Sequence, residues 1–111
     1  MKRTDRKYIQ ESLDHLEVLH RHLSQPTTDR QLVVDAAALR LSAAIDSLSR
    51  VSEELRQREM SEKVWRDIKS MRNRIAHAYA VMDASTLDDT FDNDIAAFEA
   101  DIRRMLEQTP E

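Results

Sequence analysis

The chain has 111 residues, enough for one domain with a single core and too few for two. It holds no glycine, no cysteine and only two prolines, which excludes a glycine-rich phosphate loop, a disulfide framework, a thiolate nucleophile and a cysteine-ligated metal site. The missing glycines also argue against a sheet-rich fold, whose tight turns need positive φ, and the formal charge of −4 is not that of a general nucleic-acid binder.

Four helical segments are expected, giving an all-α fold: an antiparallel up-down bundle of four main helices in one domain, residues 1–111. The first runs from about Thr4 to Leu23, with Ile9, Leu13, Leu16, Leu19 and Leu23 on one face. It stops before Pro26, which disfavours helix in the residue ahead of it.

The second begins at Thr28-Asp29-Arg30-Gln31, read as a capping box in which Thr28 and Gln31 satisfy free amides. Its expected stripe is Leu32, Ala36, Leu39, Ala43, Leu48, Val51 and Leu55, a single helix of more than 25 residues. Alanines at 36, 37, 38, 43 and 44 let a neighbour approach closely, so this helix is expected at the centre of the bundle or of a dimer.

The third starts near Ser61 and buries Val64, Trp65, Ile68, Met71 and Ile75. The fourth starts near Ser85, where Ser85-Thr86-Leu87-Asp88 resembles a cap, and its stripe of three- and four-residue steps is Leu87, Phe91, Ile95, Phe98, Ile102 and Met105. No stretch approaches the roughly 20 apolar residues of a membrane span, and Met1 to Lys7 lead into an amphipathic pattern, so a soluble, cytoplasmic protein is expected.

Charge is unevenly placed. Residues 1–61 balance ten basic against ten acidic side chains, whereas residues 62–82 carry five basic against two acidic. Residues 83–111 carry nine acids against two arginines. The single cationic segment also contains Arg72-Asn73-Arg74-Ile75-Ala76-His77-Ala78-Tyr79. Arginine offers a permanently charged fork that fits phosphate oxygens, and histidine both takes and gives a proton near neutral pH.

On a continuous helix, residues five apart lie about 140° apart around the axis, so Arg72 and His77 diverge. Asn73 and His77 share a face, which lets Asn73 orient the imidazole. Two arrangements resolve the divergence: the helix ends between Arg72 and His77, or two subunits complete one cleft. Arg66, Lys69 and Arg74 form a basic rim for phosphates. An arginine at position 72 also has acids to pair with, Asp67 or the run from 83 to 94.

Arg72, four residues, His77, one residue and Tyr79 together resemble the R-x4-H-x-Y signature of the HEPN superfamily, specifically the HepT toxins of HepT–MNT toxin–antitoxin systems. Trp65, Ile68, Met71, Asn73 and Asp83 fit the surrounding pattern. The resemblance implies a helical homodimer whose two motifs meet in an interfacial cleft and cut RNA without a metal or other cofactor. Arg72 and His77 would be catalytic, Asn73 supporting, and Tyr79 the residue adenylylated by an MNT-type nucleotidyltransferase antitoxin. An inactive HEPN bundle that serves as the dimeric partner of a nucleotidyltransferase is the alternative. The chain departs from the family in the second helix, where Ala44-Ile45-Asp46-Ser47-Leu48 replaces the usual glycine and glutamate and Asp46 is the candidate substitute.

RNA chemistry agrees with those groups. The 2′-hydroxyl is a built-in nucleophile, so cleavage needs a base, an acid and positive charge on a phosphorane-like transition state. The other histidines, His15, His20 and His22, lack the i, i+4 spacing of helical zinc ligands and are read as surface residues. The acidic run from Asp83 to Asp94 has no calcium-loop spacing and is read as helix capping with a solvated face.

Overall fold

The first apolar stripe folds as its spacing predicts. In a computed structural model describing residues 3–109, α1 spans Arg3–Leu23 and buries Ile9, Leu13, Leu16 and Leu19. Met1, Lys2, Pro110 and Glu111, which the expected domain includes, lie outside the described residues. At the end of α1, Ser24 Oγ donates to the His20 carbonyl at 2.9 Å and occupies one of the free C-terminal acceptors ahead of Pro26.

The second helix differs from its expectation in start, face and length. α2 spans Arg30–Leu48. Its N-cap is Asp29, not Thr28: the Asp29 carboxylate accepts from the Leu32 amide at 3.1 Å, while Thr27 Oγ1 accepts from the Asp29 amide. The buried face comprises Val33, Val34, Ala37, Ala38, Leu41, Ala44, Ile45 and Leu48. Leu32 and Leu39 of the expected stripe are instead 63% and 69% exposed. This helix is apolar on both sides, and the small residues Ala37, Ala38 and Ala44 decide which side α1 takes, because Ser12 Oγ can then reach the Ala44 carbonyl at 2.8 Å.

The expected long helix ends at Leu48 because two serines and a distant carboxylate compete for its backbone. Ser49 Oγ donates to the Ile45 carbonyl. Buried Asp5 on α1 accepts from both the amide and the hydroxyl of Ser52, at 2.9 and 2.8 Å, holding Ser52 extended as the N-cap of a separate helix α3, Glu53–Glu59. Val51 and Leu55 are buried as expected, but beyond the end of α2. Contacts between α1 and α2 pair 12 with 44 and 15 with 40, so these helices run in opposite directions, and the pairing of 5 with 52 beyond the end of α2 continues that order.

α4 spans Glu62–Ala78, capped by Ser61 Oγ on the Val64 amide, and a 3₁₀ turn follows at Tyr79–Val81. α5, Ala84–Asp89, starts one residue before the expected Ser85 because Asp83 is the side chain that caps it, accepting from the Ser85 amide. A π turn at Thr90–Asp94 then leads into α6, Ile95–Glu107. The steps Leu87, Phe91, Ile95 are two fours in succession and overshoot a period of 3.6; the wider π turn absorbs the excess, so the whole stripe to Met105 stays buried.

These faces meet in one contiguous core to which α4 contributes Trp65, Ile68 and Met71. Every regular element among the described residues is helical, and no described helix is long and apolar enough to cross a membrane.

Candidate active site

α4 runs unbroken through both Arg72 and His77, so the helix does not end between them and the first of the two expected arrangements is ruled out. The side chains diverge by about 140°. Arg72 leans toward α2 and is half-buried, whereas His77 is exposed on the last turn.

Arg72 is fixed by Asp46, not by Asp67 or the acidic run. Its Nε donates to Asp46 Oδ1 at 2.8 Å and its Nη2 to Oδ2 at 3.4 Å, a two-point contact that sets the plane of the guanidinium. This pair raises the arginine pKa further above its ordinary value. Three of the five guanidinium N–H donors are left for another anion. Asp67 pairs with Lys63 at 2.7 Å, and this contact holds its carboxyl below the usual range.

Tyr79, seven residues after Arg72, also reaches α2: its hydroxyl donates to Asp35. Asp35 accepts a second hydrogen bond from Gln31 Nε2 at 2.8 Å. Burial of the phenol and the adjacent Asp35 carboxylate push the Tyr79 pKa up to about 12. Donation from Tyr79 and Gln31 in turn lowers that of Asp35. Asp35 and Asp46 are eleven residues apart, three turns of α2, and fall within about 20° of one line along it. Both ends of the motif are therefore pinned to the same edge of α2, and the reversed order of the contacts makes α4 antiparallel to α2. That edge borders the line Leu32, Ala36, Leu39, Ala43, in which the leucines are exposed and the alanines half-buried.

Two adjoining grooves flank the helix. One, of about 470 Å³, is lined by Arg56, Glu62, Trp65, Arg66, Lys69, Ser70 and Asn73. The other, of about 260 Å³, is lined by Ile45, Asp46, Ser49, Lys69, Arg72 and Asn73. Sharing Lys69 and Asn73, they form a cationic track that ends one turn before His77. Within it the Arg56 guanidinium and Lys69 ammonium lie 4.7 and 5.6 Å from the Trp65 ring centre, a cation–π arrangement that keeps both charges at the groove wall. Arg74 is exposed and lines neither groove.

The expected residues are thus gathered unequally. Arg72, Asn73, Lys69 and Arg66 share the track; among the described residues no hydrogen bond joins Asn73 to His77. Asp35, Gln31 and Arg56 were missed by sequence reasoning. Two acids on one line of α2, the only acids in that helix and three turns apart, were the available signal for Asp35. A larger cleft of about 510 Å³ between α1 and α6 includes His20 and Glu99 but no residue of α4. There His20 bonds Glu99 at 2.8 Å and is exposed as expected; His15, half-buried, accepts from Arg40 at 3.0 Å.

Comparison with known proteins identifies a family. No curated protein and no solved structure matches the chain. The family model described as Ribonuclease HepT-like matches residues 9–105, a span that includes α2, all of α4, the pinned Arg72 and Tyr79, and the exposed His77. The chain belongs to the HepT-like ribonuclease family.

Proposed function

We propose that the chain is the toxin of a HepT–MNT pair, a metal-independent endoribonuclease acting as a homodimer. The observation that carries this reading is Arg72, oriented by Asp46 at the end of a cationic track that stops one turn short of an exposed His77. Arg66 and Lys69 hold RNA phosphates along the track, with Arg74 as an outlying contact. Arg72 presents its free donors to the phosphorane-like transition state. The imidazole of one His77 takes the proton of the 2′-hydroxyl as its oxygen attacks phosphorus, and the imidazolium of the other protonates the departing 5′-oxygen. Asn73, one turn back on the same face, orients the imidazole.

The divergence of Arg72 and His77 on an unbroken helix is what calls for a second subunit. The exposed leucines of α2 beside the pinned motif give that subunit an apolar face to cover. Tyr79 is the residue on which the nucleotidyltransferase antitoxin places adenylyl groups, silencing the enzyme.

Growth arrest and cleavage of a labelled RNA by wild type, Arg72→Ala and His77→Ala test the assignment. Both variants should fold, dimerise and lose cleavage. Toxicity retained by either folded variant rejects its catalytic role, and a wild type that binds the nucleotidyltransferase without cutting RNA favours the inactive-bundle reading.

A further inference from the structure

Resting on the reading of Tyr79 as the nucleotidyl acceptor, the geometry points to Asp35 as the group that orients the Tyr79 hydroxyl and takes its proton during transfer. A neutral phenol is a poor nucleophile, and any transfer to its oxygen must dispose of the hydroxyl proton. In this chain that proton is already directed at Asp35.

The surroundings of Asp35 suit the task. Gln31, one turn earlier on α2, donates to the same carboxylate oxygen and fixes its rotamer. Among the described residues no cation pairs with Asp35. The neighbouring cations on α2 are engaged elsewhere, Arg30 with Asp88 at 2.6 Å and Arg40 with His15, and Asp46 is taken by Arg72. The Tyr79 ring packs against the core, while Asp35 is exposed, so the hydroxyl is held still at a place a nucleotide can reach. Tyr8 supplies an internal contrast. It lies 5.8 Å from both Lys7 and Arg50, and among the described residues its hydroxyl has no carboxylate partner.

The step balances with a nucleoside triphosphate as co-reactant. Tyr79 Oη forms a bond to the α-phosphorus, the bond from that phosphorus to the bridging oxygen breaks, and pyrophosphate leaves with the electron pair. The proton passes from Oη to Asp35 and then to water. Protonation removes the carboxylate charge while the anionic phosphodiester forms beside it. Once Asp35 ionises again, like charges oppose the return of Tyr79 to α2, two residues beyond His77.

The test is intact mass against time, with the chain incubated with an MNT-type nucleotidyltransferase, ATP and Mg²⁺ over a range of transferase concentrations. Wild type and Tyr8→Phe should gain adenylyl units, and Tyr79→Phe none. Asp35→Asn is nearly isosteric and still accepts a hydrogen bond, yet cannot take the proton. Its saturated rate should fall by about tenfold or more, with the half-saturating transferase concentration unchanged and part of the rate recovered in Asp35→Glu. Wild-type rate in Asp35→Asn, or a deficit removed by more transferase, overturns the role of Asp35 and leaves Tyr79 as acceptor. A mass gain that persists in Tyr79→Phe, or none on wild type, overturns the acceptor reading and the Asp35 assignment with it.

Discussion

Replacing Asp46 with alanine separates orientation of Arg72 from its mere presence. The pair is only partly shielded, with 34% of the Arg72 side chain and 49% of the Asp46 side chain exposed, and solvent-screened ion pairs contribute little to stability. The melting temperature of Asp46→Ala should therefore stay within roughly 5 °C of wild type. Activity should respond more strongly. With both hydrogen bonds gone, three staggered wells at each of the three sp³ torsions of Arg72 give roughly 27 combinations. Only the few that keep its free donors aimed into the groove are productive, so kcat should fall by about ten- to thirtyfold. Asp46→Asn, which keeps one acceptor for Nε, should fall in between. Single-turnover cleavage of a labelled RNA at saturating enzyme reads the effect directly. Cleavage at the wild-type rate would refute the orienting role, and faster cleavage would mean that Asp46 restrains Arg72 from the substrate.

Alkaline titration by phenolate absorbance, wild type minus Tyr79→Phe, should place Tyr79 ionisation at about 12. Because the folded value is raised, its contribution to stability is complete below the ordinary tyrosine value near ~10 and is lost as pH rises through about 12. Asp35→Asn should lower the midpoint only part of the way, since burial is the larger cause; no change would contradict the Tyr79–Asp35 contact. Lys69→Ala should reduce the slope of log affinity for single-stranded RNA against log salt by about 0.7, as for one lost phosphate contact; an unchanged slope removes Lys69 from the track. Phe98 is fully buried, so Phe98→Ala should cost about 3–5 kcal/mol by urea unfolding. Leu39→Asp, at a position 69% exposed, should leave the melt of the subunit unchanged yet give a monomer without cleavage in light scattering and RNA assays; a dimer that persists moves the interface elsewhere.

The parts of the fold that could be read from sequence are those where polarity alternates strongly around the helix. On α1, α4 and the run from α5 through α6 only one side can be buried, and Ile9 to Leu19, Trp65 to Met71 and Leu87 to Met105 are where the spacing puts them. α2 offers two apolar lines, one through Leu32 and Leu39 and one through Val34, Leu41 and Ile45. Periodicity cannot choose between them. The choice rests on small residues facing α1 and on the Ser12 hydrogen bond, and the end of α2 rests on Asp5, 47 residues away in sequence. Such partners have no local signature.

The same division applies to the site. Arg72, His77 and Tyr79 are the expected site residues because their chemistry and spacing lie within one segment, but the two acids that hold Arg72 and Tyr79 lie on another helix. Asp46 stood out only as a departure from the family pattern, and Asp35 did not stand out at all. Their shared line on α2 explains what the motif spacing alone leaves open. Arg72 on α4 and Tyr79, at the start of the 3₁₀ turn that follows it, are seven apart, close to two helical turns, and both reach α2; His77 is five from one and two from the other and turns away from it. A single contact face for Arg72 and Tyr79 therefore requires that His77 face outward. On the reading proposed above, an outward histidine beside an arginine held inward would be half of an acid–base site, and the exposed Leu32 and Leu39 of α2 would be the face on which a second subunit brings the other half.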